Sequence, residues 1–127
     1  MIKGVGTDII KVARIAHALQ KHGERFASRI LTPDEMKRYK SAPDGVRYLA
    51  KRFALKEAIV KALGTGIAKG VSWQHINTAN NEAGQPYANL SDGALSVMHS
   101  LGADNLHISL SDEEDYVLAF AVLSRRF

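Results

Sequence analysis

The chain of 127 residues contains no cysteine. That absence excludes disulfides, thiolate zinc sites and a thiol nucleophile together, so any metal must be held by oxygen or imidazole ligands. Aromatic residues make up only 7% of the chain. No aromatic ladder interleaves with the basic cluster of Arg14, Lys21, Arg25 and Arg29, which weakens a reading as a single-strand nucleic-acid platform built on base stacking. No apolar run reaches the length of a membrane span, and residues 1–6 offer no secretory h-region. The expectation is a cytoplasmic protein with no membrane partner. There is no linker, internal repeat or low-complexity tract. What is present is ordinary for one globular domain spanning 1–127: 46% hydrophobic and 24% charged residues. Seventeen Lys and Arg against thirteen Asp and Glu give a net charge of +4. That balance suits an anionic partner without choosing among nucleic acid, a phosphorylated small molecule and an acidic protein.

The pattern predicts a strand over 2–10, where Gly4 and Gly6 permit close approach of another backbone. Apolar spacing predicts a helix over 11–22 stopped by Gly23, and a short helix near Arg25–Leu31. Thr32-Pro33-Asp34-Glu35 is a helix start, with Thr32 as N-cap, Pro33 at the first position and Glu35 completing a capping box. That helix should run to about Lys40, and a long one should span roughly Arg47–Leu63. Strands are expected over Val71–Ala79 and Pro86–Leu90, then a helix capped by Ser91 and running to about Leu101. The alternating Leu106, Ile108 and Leu110 and the apolar Tyr116–Leu123 should form a closing hairpin. The order predicts an α+β fold, an antiparallel sheet packed against helices with one long central helix.

That central helix carries the most information. Apolar residues lie on nearly every side of it, which predicts burial. Glu57 falls beside Phe53 and Ala50, where a core residue is expected, and Lys61 lies one turn later. A carboxylate seldom goes inside without a cation or metal. Asp8, at the end of the first strand, is a second hard oxygen donor, and two carboxylates from different elements suit Mg²⁺ with phosphate oxygens as further ligands. A turn aspartate and an intrahelical Glu57–Lys61 pair explain the same residues without a metal. Arg52, Lys56 and Lys61 could neutralise a pyrophosphate or simply solvate the helix. Gly64-Thr65-Gly66 follows a helix and is no P-loop; a C-cap accounts for Gly64. His107 and Ser109 share one face of a strand and could bind a phosphate together. Arg14, Lys21, Arg25 and Arg29 form a basic cluster for an acidic partner, or a merely solvated surface. The remaining histidines read as surface or structural groups.

Two separated motifs resemble the holo-acyl-carrier-protein synthases, the single-domain class of the 4′-phosphopantetheinyl transferases. One runs from Gly6-Thr7-Asp8-Ile9-Ile10 to Arg14. The other runs from Arg52-Phe53-Ala54-Leu55-Lys56-Glu57-Ala58 through Lys61-Ala62-Leu63-Gly64-Thr65-Gly66. The likeness extends to Arg29–Thr32, Gly84-Gln85-Pro86 and His107–Asp112. Phe53 departs from the Trp of many wider-superfamily transferases, and Leu63 from a common Phe.

The resemblance implies transfer of the 4′-phosphopantetheine of coenzyme A to a serine of apo-acyl carrier protein, in support of fatty acid biosynthesis. It implies Mg²⁺ on Asp8 and Glu57, with Lys61 catalytic beside them. Arg52, His107 and Ser109 would hold the nucleotide 3′-phosphate, and Gly64, Thr65 and Gly66 would line the coenzyme channel. Arg14, Lys21, Arg25 and Arg29 would meet the carrier protein. The family also implies a homotrimer with sites between subunits. The base is left between a metal-bound water and one of the two carboxylates. A Mg²⁺-dependent coenzyme A or nucleotide pyrophosphatase would use the same metal logic, and a basic nucleic-acid-binding module is the non-catalytic alternative.

Overall fold

The structure, a computed structural model, describes residues 1–126; Phe127, the last residue of the expected domain, lies outside the described residues. The chain runs β1 (Ile2–Lys11), α1 (Val12–His22), α2 (Glu24–Ile30), α3 (Pro33–Ser41), α4 (Gly45–Leu63), a 3-10 turn (Trp73–His75), β2 (Ile76–Asn80), β3 (Pro86–Leu90), α5 (Asp92–Ser100), β4 (Asn105–Asp112) and β5 (Tyr116–Ser124). β5 is the middle strand of an antiparallel sheet ordered β1-β5-β4, and β2 and β3 form a separate antiparallel ribbon. The expected α+β architecture is present. The expected strand over Val71–Ala79 is shorter: Ser72 accepts from Gln74 N–H and receives the His75 side chain on its own N–H, so a 3-10 turn takes the first residues and pairing starts at Ile76.

Two local signals work as the chemistry predicts. Thr32 Oγ1 accepts from Glu35 N–H while Glu35 Oε1 accepts from Thr32 N–H, so both halves of the capping box form. Gly64 ends α4 in the left-handed conformation, with φ of 80°, and its N–H closes on Val60 and Lys61 carbonyls.

The core is α4 laid on the sheet. Leu49, Leu55, Ile59, Val60 and Leu63 are buried with Ile10, Val117 and Leu123; each such side chain contributes about 1.5–3 kcal/mol on leaving water. Small residues bring the layers together. A Cβ on Gly6 would overlap the Ala58 carbonyl, and one on Gly4 the Ala62 carbonyl. β1 therefore runs directly over the α4 backbone and in the opposite direction. Asp8, two residues past Gly6, arrives beside the Glu57–Lys61 turn of the helix.

Candidate active site

Charge on α4 divides into two stripes about 100° apart on the helix. Phe53, Glu57 and Lys61 form the half-open stripe: Phe53 and Glu57 are half-buried and Lys61 is exposed. Tyr48, Arg52 and Lys56 form the other. The expectation of a buried Glu57 is corrected here. The fully buried charge of the helix is Lys56, with no exposed surface, and the carboxylate that accompanies it is Glu35 of α3, equally buried. Lys56 Nζ donates to Glu35 Oε1 at 2.7 Å and to the carbonyls of Ile30 at 2.6 Å and Trp73 at 3.2 Å. Every ammonium proton has an acceptor, which is the condition for holding a cation inside. Burial still draws the Lys56 pKa down, opposed by the Glu35 charge and hydrogen bond. Lys56 is therefore a structural cation, not one offered to a pyrophosphate.

The open stripe meets Asp8. Lys61 Nζ donates to Asp8 Oδ1 at 3.1 Å and to the Thr7 carbonyl at 3.0 Å. Asp8 Oδ2 is buried without any partner, and the Glu57 carboxylate accepts no hydrogen bond among the described residues. Burial pushes the Glu57 pKa up, the Asp8 charge pushes it further, and Lys61 opposes them. Phe53, one turn earlier, packs against Trp73 at 5.3 Å and Phe26 at 6.5 Å between ring centres, which walls that side of Glu57 with aromatic surface. Two hard carboxylates held together, with Asp8 Oδ2 and the Glu57 oxygens still open as donors, fit the donor set of a Mg²⁺ ion that keeps waters and accepts phosphate oxygens. Among the described residues no group of three or more His, Asp or Glu converges as a protein-only cage.

The Arg52 stripe opens on a cleft of about 420 Å³ lined by Arg38, Arg47, Tyr48, Lys51, Arg52 and Asn80, with Ala42–Asp44 and Ala79. Four cations face this one space. Arg38 Nη2 donates to the Thr78 carbonyl, and Arg52 lies over the Tyr48 ring at 5.1 Å. Asp112 ties down two of the cations: it pairs with Arg47 and, at 2.9 Å, with Lys51. Burial pushes the Asp112 carboxyl up, but the hydrogen bonds and charges of Lys51 and Arg47 together outweigh it and hold the group below the usual carboxylate range. Four buried side-chain polar atoms lack a partner among the described residues: Arg38 Nε, Tyr48 Oη and Arg52 Nε at this cleft, and Asp8 Oδ2 at the acidic pair. Buried polar groups normally find partners, so both places are chemically unfinished. Five residues separate Arg52 from Glu57, a rise of about 7.5 Å along the helix.

Arg38, Arg47, Tyr48 and Lys51 escaped the sequence reading. The available signal was electrostatic: Arg47, Lys51 and Arg52 crowd the N-terminal half of α4, and Arg47 stands in its first turn, where the helix dipole disfavours a cation.

His107 and Ser109 are exposed on the sheet face turned away from α4, beside the β2–β3 turn residues Asn81 to Pro86. They are not brought to Asp8 or Glu57 within one chain. Thr65 and Gly66 are half-buried after the C-cap, and both N–H groups reach the Val60 carbonyl. Arg14, Lys21, Arg25 and Arg29 are all exposed. Lys21, Arg25 and Arg29 line one depression with Phe26 between them, while Arg14 stands apart on α1.

The chain is an α+β domain in which a cation-lined cleft and a pair of carboxylates lie along one helix. Residues 4–121 match the model of the 4′-phosphopantetheinyl transferase superfamily, and the chain belongs to that family. It is 48% identical over 122 residues to a holo-[acyl-carrier-protein] synthase of Shewanella amazonensis, covering 96% of this chain and 98% of the relative. Among solved structures it is similar to the holo-[acyl-carrier-protein] synthase of Neisseria meningitidis, with a TM-score of 0.91, 45% identity, and 98% and 100% of the two chains covered. It is also similar to the Helicobacter pylori synthase in complex with coenzyme A, with a TM-score of 0.82, 32% identity, and 94% and 99% covered.

Proposed function

We propose that this chain, as a single domain, is a holo-acyl-carrier-protein synthase that moves 4′-phosphopantetheine from coenzyme A to a serine of apo-acyl carrier protein, releasing adenosine 3′,5′-bisphosphate and supplying fatty acid biosynthesis. The observation that carries the reading is the Asp8–Glu57 pair, with Asp8 Oδ1 held by Lys61 and Oδ2 unpartnered among the described residues, one to two turns along α4 from a cation-lined cleft.

Asp8 and Glu57 would hold Mg²⁺, which when bound supplies charge neutralisation to the pyrophosphate. Arg52, with the cleft cations around it, binds the 3′-phosphate end of the nucleotide and so fixes where the pyrophosphate lies. Lys61, half-exposed at 51% of its side chain, presents its ammonium to the phosphate that is cut. The carrier's serine oxygen attacks the phosphorus, the pyrophosphate P–O bond breaks, and the bisphosphate leaves with the bond electrons. The serine proton passes to a metal-bound water or to one of the two carboxylates, Asp8 or Glu57. Gly64, Thr65 and Gly66 line the path of the pantetheine arm. The exposed Arg14, Lys21, Arg25 and Arg29 steer the acidic carrier protein to the site.

Self-association as a trimer is part of this reading. Val5, Ile9, Tyr116, Leu118 and Phe120 share the outer face of the sheet and are between 42 and 60% exposed. Register places them side by side, Ile9 opposite Leu118 and Thr7 opposite Phe120. Contiguous exposed apolar surface of this kind favours an interface. A neighbour docked there brings its own α4 to His107 and Ser109, which then serve that neighbour's nucleotide. The proposed dependence on coenzyme A suits a cytoplasmic enzyme. No helix among the described residues is long and apolar enough to cross a membrane.

Intact-mass measurement of an apo carrier protein mixed with this chain, coenzyme A and Mg²⁺ tests the proposal. A gain of the phosphopantetheine mass is expected, lost with Asp8→Asn or Glu57→Gln. Release of bisphosphate from coenzyme A without any carrier would make the protein a pyrophosphatase instead.

A further inference from the structure

The nucleotide cleft depends on a buried relay that ends on Arg52. Thr78 of β2 is fully buried. Its hydroxyl donates to Glu35 Oε2 at 2.6 Å and accepts from Arg52 Nη1 at 3.1 Å. Glu35 Oε2 also accepts from Thr78 N–H at 2.8 Å, and Glu35 Oε1 accepts from Lys56 Nζ at 2.7 Å. The direction of these bonds is forced. Glu35, ionised against Lys56, accepts only, so the Thr78 proton must point to it. That orientation turns a hydroxyl lone pair toward Arg52, which donates only. Asn80 Oδ1 takes a second guanidinium proton at 3.2 Å from Nη2, and the Tyr48 ring supports the guanidinium plane. Arg52 thus has its rotamer set from below, while Nε has no partner among the described residues.

We infer that Thr78 is a positioning residue for the nucleotide 3′-phosphate: its hydroxyl, oriented by Glu35 and Lys56, aims the Arg52 guanidinium into the cleft. The inference rests on the reading that Arg52 binds the 3′-phosphate, and goes beyond it by naming what makes the arginine ready. A guanidinium aimed before substrate arrives loses little freedom on binding, so removing the aim weakens affinity without touching the reacting atoms. Valine at 78 keeps the β-branched shape that suits the strand and removes the acceptor for Arg52. Serine keeps the hydroxyl.

The experiment compares coenzyme A with 3′-dephospho-coenzyme A in steady-state transfer to apo carrier protein. With Thr78→Val, KM for coenzyme A should rise about tenfold, the scale of one lost charge-assisted hydrogen bond. kcat should change less than twofold and KM for the dephospho substrate should barely move. Thr78→Ser should restore the native discrimination. Equal losses on both substrates, or none on either, would overturn the relay and leave Thr78 a packing residue. Arg52→Gln is run in parallel: if it erases the preference for the 3′-phosphate while Thr78→Val does not, the relay alone fails. If Arg52→Gln leaves the preference intact, the reading of Arg52 fails and the relay falls with it.

Discussion

Asp8 and His107 project from opposite faces of one three-stranded sheet. Ala119 of β5 lies between Asp8 and Leu110 in the register, and Val122 lies between Val5 and His107. Side chains along a strand alternate between faces, so Asp8 shares the α4 face with buried Ala119 while His107 shares the outer face with exposed Val5. Within one chain the two side chains therefore open on different sides of the sheet. If both serve the same coenzyme A, that arrangement favours a site built by two chains.

That relationship makes a complementation experiment decisive. Glu57→Ala and His107→Ala chains should each be nearly inactive alone. Co-assembled from an equimolar mixture they should regain about a quarter of native turnover, because about one interface in four pairs an intact Glu57 with an intact His107. Transfer activity of the mixture measured against each parent checks this; a mixture no better than its parents would place the whole site in one chain.

The outer sheet face should carry the assembly. Phe120→Glu sets a charge among Ile9, Leu118 and Thr7 on an open surface of the chain, so the fold should survive while association is lost. Sedimentation should show a monomer, circular dichroism should be unchanged, and transfer should fall by at least tenfold. A variant that sediments as the parent does would show that this face is not the interface.

Glu57 should trade stability for chemistry. Its folded-state pKa lies above the ordinary glutamate value, for burial and Asp8 favour the protonated form. The unfolded chain lacks both effects, so in the metal-free protein ionised Glu57 costs stability above that raised pKa. The cost disappears as pH falls below the ordinary glutamate range. Glu57→Gln should therefore melt higher than the parent at pH 7–8 without Mg²⁺, with the gap closing toward about pH 4. Added Mg²⁺ should raise the parent's Tm and not the variant's, and transfer should fall by about 10²–10³. A variant no more stable than its parent at pH 7–8 would contradict the assigned burial of this carboxylate.

The Lys56–Glu35 pair should behave as a unit. Lys56→Met leaves Glu35 charged and without its cation in a site closed to solvent. Urea denaturation should report a loss of about 3–5 kcal/mol, with a smaller loss when Glu35→Gln is added to it. Equal and additive losses would mean that the two groups do not share their burial.

Much of this protein was legible in its amino-acid order because the relevant physics is local. The Thr32–Glu35 capping box, the Gly64 stop, the alternation of β4 and β5 and the apolar periodicity of α4 each depend on neighbours within a few residues. The glycines of β1 announced a close approach, though not that Ala58 and Ala62 would be what they approach. The family motifs named Asp8 and Glu57 together, but spacing alone gave no reason for residues so far apart in sequence to meet.

The arrangement in space decided which charges of α4 go inside. A helical wheel treats Lys56 and Glu57 alike as charges among apolar neighbours. Their fates differ because Glu35, 21 residues earlier on another helix, offers Lys56 a buried carboxylate, whereas Glu57 meets Asp8, a like charge, beside open solvent. Arg38, Tyr48 and Lys51 became visible only when α3, α4 and β2 closed around one cleft, and the separation of His107 from Asp8 only when the strand register was set. Local propensity is written in adjacent residues. Desolvation, charge pairing and sheet facing depend on which distant segments touch, and that is settled by the packing of the whole chain.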